Sequence, residues 1–279
     1  MSSAGVGFDW AAAGILLAVA VVVIVGTFAV TLVVARAAGK HSVVDVTWGL
    51  GFVLVAVAAY VTSGLLGVGN DVVRLVALVL PVVWGLRLAI HIGRRNHGAG
   101  EDPRYAAMLG DDHPPGAITA HVLRKVYLPQ TVVMIVVVLP VLAAMVRAST
   151  VTAVVVIGAV VWLVGFVFES VGDAQLARFK ARPENKGKVL DTGLWRYTRH
   201  PNYFGDACVW WGIFLVAAGH PAGLVTVVGP VLMSYLLVNV TGKELTEKSM
   251  SGRPGYAEYV RRTSGFLPLP PGSAPARAT

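Results

Sequence analysis

The chain has 279 residues, of which 56% are hydrophobic and 14% charged, with a mean hydropathy of +0.69. An average soluble domain carries about a quarter charged residues, so an ordinary soluble enzyme, a disordered chain, a collagen-like repeat and a coiled coil are excluded. A single Cys excludes a disulfide framework and a Cys-based zinc site, and the net charge of +8 is read as membrane topology, not as a nucleic-acid footprint.

A transmembrane helix needs roughly 20 mostly apolar residues. Stretches of that kind run over Ala11–Val34, Val43–Val61, Val72–Ile92, Val126–Val146, Val151–Val171, Tyr203–Ala218 and Gly223–Val240. The pattern predicts an all-α polytopic membrane protein of about seven transmembrane helices. The first stretch has no Lys or Arg ahead of it and is too long for a signal-peptide core, so it is expected to stay as a helix. The second carries Asp45, and the sixth is short. Around seven spans, all of the 23 Lys and Arg fall on one side except Arg74, Arg87 and Arg147. That asymmetry predicts an outside N-terminus and a cytoplasmic C-terminus. Two long loops, Gly93–Lys125 and Gly172–Asn202, lie on the basic side, and loops of that length tend to carry function. No repeat or linker divides the chain, so residues 1–266 are expected to form a single membrane domain. The Pro- and Ala-rich residues 267–279 are expected to be a disordered tail.

Polar residues inside spans are costly and need a reason. Asp45 begins the second span, in Val44-Asp-Val-Thr-Trp-Gly-Leu-Gly-Phe52. It is either a helix-start carboxylate facing headgroups or the acid of a pocket walled by Trp48, with Gly49 and Gly51 allowing close approach. Arg87, His91 and Arg94 share one helix face, as a snorkelling anchor or as a stripe aimed at a buried anion. Glu169 and Asp173 are one turn apart, with Gln175 beside them. They are either solvated or hold a cationic or hydroxyl-rich partner. The densest segment is Thr192-Gly-Leu-Trp-Arg-Tyr-Thr-Arg-His-Pro-Asn-Tyr-Phe-Gly-Asp206. Arg196, Arg199 and His200 stand before a helix break at Pro201, and Asn202 is the expected N-cap of the next span. Arginines beside a helix start make an anion site suited to phosphates. Asp206, one turn in, can accept from an amide or a ribose hydroxyl. No Gly-rich nucleotide fingerprint, G-x-S-x-G elbow or metal-ligand spacing of His and Cys is present.

The segment Leu194–Asp206, followed by Trp210-Trp-Gly212, resembles the C-terminal domain of the steroid 5-alpha-reductase family, and within it a bacterial branch of unassigned function. Phe168–Gln175, Asn185–Lys188, Trp84–Arg87, Glu101–Tyr105 and Arg253–Tyr259 are similar to the same branch. The likeness runs from about Asp45 to Pro268 and is strongest over 126–268. It implies a seven-helix reductase of the bacterial plasma membrane. Such an enzyme takes NADPH from the cytoplasmic side and reduces an activated C=C bond of a lipid drawn from the bilayer, with no nucleic-acid partner. It also implies cofactor contacts for Glu169, Asp173, Lys180, Asn202 and Asp206, and for Tyr256 and Tyr259 in a C-terminal closing segment; Arg196, Arg199 and His200 join them as the basic cluster. The Gln–Glu pair and the Tyr with which the steroid enzymes hold the substrate ketone have no counterpart here. Asp45 is the nearest acid, with Arg87 or Tyr105 as further donors to the substrate oxygen. Isoprenylcysteine carboxyl methyltransferases share the Arg-His-Pro-x-Tyr-x-Gly pattern and bind S-adenosylmethionine. That cofactor has no phosphate, so Lys180, Lys186, Lys188 and Arg196 favour NADPH. A non-catalytic lipid-binding protein is the third alternative.

Overall fold

The computed structural model describes residues 7–110, 116–149, 151–240 and 242–272. Among these residues the chain is all-α, and its only extended pairings are the isolated bridges Phe8–Arg147 and Thr198–Ser264. Six helical stretches are long and apolar enough to cross a membrane: α1 (Trp10–Ala38), α2 (Val44–Leu65), α3 (Asp71–Asn96), α5 (Ala120–Val146), α6 (Ala153–Lys180) and Pro221–Met250. The short α4 (Pro103–Leu109) lies between α3 and α5. Only 22% of the apolar window of α1 is buried, and Val22, Val30 and Val33 are exposed. A soluble monomer does not present apolar surface on that scale; the protein is an integral membrane protein.

The helix ends follow the local sequence. Asp9 caps α1 by accepting from Ala12 N at 2.9 Å, and Gly39, at φ 65°, closes it. Asn70 caps α3 through Val72 N and Val73 N, and Asp102 caps α4 with Pro103 behind it. The stretch α5 is not uniform: a π-helical turn occupies Leu123–Tyr127, and the helix restarts at Leu139 beside Pro140. α6 runs on to Lys180, beyond the expected end at Val171, because nothing before Pro183 breaks it.

The sixth expected span is present as α7 (Pro201–Ala218) but is not among the six. Its first two turns carry Asn202, Tyr203 and Asp206, which lower its hydropathy. Its 18 residues still measure about 27 Å along the axis. The last expected span opens with a 3-10 turn, Pro221–Val227, and continues as α8 (Val228–Asn239). Two short helices follow, α9 (Lys243–Met250) and α10 (Tyr256–Arg262).

The chain divides into two compact units, residues 1–159 with 213–229, and residues 160–212 with 230–279. In the first, Gly49 of α2 and Gly85 of α3 face each other. A Cβ on Gly49 would stand 2.5 Å from the Gly85 carbonyl oxygen, so the two backbones touch. Thr31 of α1 and Thr47 of α2 share a buried hydrogen bond of 2.8 Å. Arg147 is fully buried and donates to the Val216 carbonyl at 2.6 Å and to Ser149 Oγ at 3.0 Å.

In the second unit, α6 and α7 meet through Gly165 and Gly205. A Cβ on either would lie 2.5 Å from the other's carbonyl oxygen. Of the expected tail, residues 267–272 are irregular chain tied down by Leu269 N to the Tyr197 carbonyl (3.0 Å) and Gly272 N to the Arg262 carbonyl (2.9 Å); residues 273–279 lie outside the described residues.

Candidate functional site

The first unit holds a polar cluster around Asp45. The side chain is 15% exposed and accepts from Tyr105 Oη at 2.6 Å and from Arg104 Nη2 at 2.6 Å. Arg95 stands 3.7 Å away, and Gln130 Nε2 donates to Tyr105 Oη at 3.5 Å. Both oxygens of Asp45 are therefore engaged as acceptors. Tyr105, buried in α4, has its phenol pushed up by burial and by the Asp45 carboxylate. Two anchors place α4. Glu101 accepts from His41 N (2.5 Å) and Ser42 N (2.9 Å) just ahead of α2, a charge-favoured position. Lys40 Nζ donates to the Asn96 and Ala99 carbonyls. The structure thus brings Asp45 and Tyr105 together. Arg87 is half-buried on α3, two turns before Arg95.

The second unit contains a cavity of about 460 Å³, within the usual range for a small-molecule site. One wall comes from the end of α6 and the loop after it, where a 3-10 turn over Pro183–Asn185 and Gly187 at φ 80° fold the chain back. Asn185 Nδ2 holds this turn to the Phe179 carbonyl at 2.9 Å. The opposite wall comes from α9 and α10. Lys180, Arg182, Lys186, Lys188, Arg199 and Arg253 line the cavity, and no carboxylate among the described residues does. Trp195, Tyr256 and Tyr259 supply its aromatic surface. Tyr259 Oη donates to the Trp195 carbonyl at 2.6 Å, and Trp195 Nε1 to the Gly172 carbonyl at 3.1 Å, which fixes both rings.

Arg199 is the best-anchored cation. It donates to Glu247 Oε1 (2.9 Å) and to the Val260 and Thr263 carbonyls. His200 Nε2 meets the same Glu247 oxygen at 3.1 Å, and its ring stacks on Tyr203 at 5.3 Å. Burial lowers the His200 imidazole to about 4, against the opposing pull of Glu247. Its place just before the first residue of α7 works in the same direction, because a helix N-terminus disfavours a cation.

Among the expected cofactor residues, Lys180, Arg199, His200, Tyr256 and Tyr259 line this cavity. Arg196 sits exposed on the 3-10 turn Gly193–Arg196 and does not line it. Glu169, Asp173, Asn202 and Asp206 do not line it; Asn202 of α7 bonds Asp173 of α6, and Gly205 of α7 packs on the Glu169 backbone. Glu169 and Asp173 are buried, which overturns the solvated reading of that pair. Asn202 does not cap α7: the helix starts at Pro201, the favoured first position for proline, so Asn202 falls in its first turn. Its Nδ2 donates to Asp173 Oδ1 at 3.2 Å, while its Oδ1 is buried with no hydrogen-bond partner among the described residues. Arg182 and Glu247 are site residues that the motifs did not supply, and Arg253 opens the segment Arg253–Tyr259 without a role having been given to it. Arg182 lies in a run of cations that reads as topology, and Glu247 takes its meaning only from its contacts.

One family model matches the chain, over residues 31–263, and is described as a protein of unknown function (DUF1295). The chain belongs to the DUF1295 family. No curated protein and no solved structure matches it. The DUF1295 region holds both the Asp45 cluster and the cationic cavity, and ends one residue past α10.

Proposed function

We propose that this DUF1295 protein is a membrane-embedded oxidoreductase that binds NADPH in the cationic cavity and reduces an activated C=C bond of a lipid. The observation that carries the reading is the cavity's lining among the described residues: six cations, no carboxylate, and fixed aromatic rings. A ligand matched to it bears several phosphate charges and flat rings, and S-adenosylmethionine has no phosphate to place there. The residues suit the group. Lys180, Arg182, Lys186, Lys188 and Arg253 can take the pyrophosphate and the 2′-phosphate, while Trp195, Tyr256 and Tyr259 can pack on the rings. The steroid 5-alpha-reductase likeness of Leu194–Asp206 adds the reaction class.

Bound NADPH supplies hydride. The protein's part is to accept the lipid from the bilayer and to stabilise negative charge developing on its oxygen. The basic side faces the cytoplasm, where the cofactor is found.

The test is titration of the purified full-length protein in detergent with NADPH, NADH and S-adenosylmethionine. NADPH binds most tightly, and Lys188→Ala or Arg253→Ala weakens it by about 1.5–3 kcal/mol, roughly 10- to 150-fold. Tight S-adenosylmethionine binding without NADPH binding overturns the reading in favour of a methyltransferase. Binding of neither leaves a non-catalytic lipid-binding protein.

A further inference from the structure

The cations of the cavity can only donate hydrogen bonds. They recognise phosphates and carbonyls, and they cannot receive a bond from a hydroxyl or an amide N–H. His200 lines the same cavity and is chemically different. Glu247 Oε1 accepts from Arg199 Nε at 2.9 Å and meets His200 Nε2 at 3.1 Å. A carboxylate oxygen accepts only, so the proton on the imidazole sits on Nε2. A neutral imidazole has one N–H, which leaves Nδ1 with its lone pair, and Nδ1 makes no hydrogen bond among the described residues. The side chain is 4% exposed, and its ring is stacked on Tyr203 within 10° of parallel. The stack holds the ring's plane, and turning the ring over within that plane would take Nε2 away from Glu247. Thr246 and Ser249 also line the cavity, but their hydroxyls rotate to suit a partner. A tied and stacked imidazole does not.

We propose that Glu247 is a positioning residue that holds His200 with Nε2 protonated and Nδ1 bare, so that the cavity presents a fixed imidazole acceptor among its cations and selects a ligand carrying a hydroxyl or amide N–H next to its phosphates. The inference rests on the nucleotide reading of the cavity and adds a demand that charge alone does not make. A ribose hydroxyl or a carboxamide meets it; a bare polyphosphate does not.

Two measurements on full-length protein in detergent test this. The first is nitrogen NMR of protein labelled with 15N-histidine, with the His200 signals identified by their loss in His200→Gln. The expected signature without ligand is a protonated Nε2 and an unprotonated Nδ1 at neutral pH. A protonated Nδ1 or a mixed tautomer overturns the proposal. The second compares affinity for NADP⁺ with affinity for inorganic pyrophosphate, which tests the cations alone. Glu247→Leu is expected to weaken NADP⁺ roughly tenfold relative to pyrophosphate. Glu247→Gln, whose amide oxygen still accepts from Nε2, is expected to recover most of the loss and to keep the wild-type tautomer. Equal losses for both probes in Glu247→Leu show that the residue merely holds Arg199 and the wall in place, and overturn the proposal, as does no loss for either. If wild-type protein shows the expected tautomer and binds pyrophosphate but not NADP⁺, the nucleotide reading fails while the positioning by Glu247 stands.

Discussion

A buried imidazole beside a carboxylate is a balance of two effects, and at His200 burial prevails. Its folded-state value of about 4 lies below the ordinary 6.5. A group depressed on folding contributes stability that is complete above its unfolded value and is lost as pH falls from 6.5 toward 4. Thermal unfolding in detergent is expected to show about 2 kcal/mol lost to this group between pH 7.5 and 5, and His200→Gln flattens that part of the profile. A wild-type profile unaltered by the substitution would show that burial does not depress the imidazole. At this scale the sequence is a partial guide. Arg199 and His200 stand out because a helix break follows them. Glu247 does not, since it lies on a polar helix 47 residues away, and only the folded chain brings the two together. Asp45 and Tyr105 are both visible as candidates, 60 residues apart, yet nothing in their spacing says which one donates.

At the scale of elements, two helix pairs are set by glycine. On α7, a Cβ at Gly205 would press on the Glu169 amide and the Gly165 carbonyl of α6, which are backbone atoms that cannot move aside. Gly205→Ala is therefore expected to force the helices apart at about 1–3 kcal/mol, read as a lower melting temperature. Gly14→Ala and Gly26→Ala on α1 have open space at the new Cβ. They are expected to be neutral or to stabilise by a few tenths of a kcal/mol up to about 1. Equal effects at all three positions would show that the close approach does not matter. The pairing of Gly165 with Gly205 depends on the register of two helices, which periodicity does not encode. The helices themselves are legible, because apolar runs of this length have few alternatives in a bilayer. Their ends are less so: α6 outlasts its apolar run by more than two turns, since polar residues without a breaker continue a helix.

For the whole molecule, the number of crossings depends on α7. Reporter fusions at Gly110 and His220 are expected on opposite sides of the membrane if α7 spans; the same side at both would show that it does not. Segregation of the Lys and Arg residues points to the first outcome, although the hydropathy of α7 alone falls short of the other spans. The Arg147 bond to the Val216 carbonyl bears on how such a chain is assembled. Its partners are 69 residues apart, and the intervening stretch contains the whole of residues 160–212, which pack with the other unit. Synthesis proceeds from the N-terminus, so the guanidinium leaves the ribosome long before its acceptor exists. The first unit cannot close until the second has been half made, and a nascent chain halted before Val216 would carry an unfinished first unit into quality control.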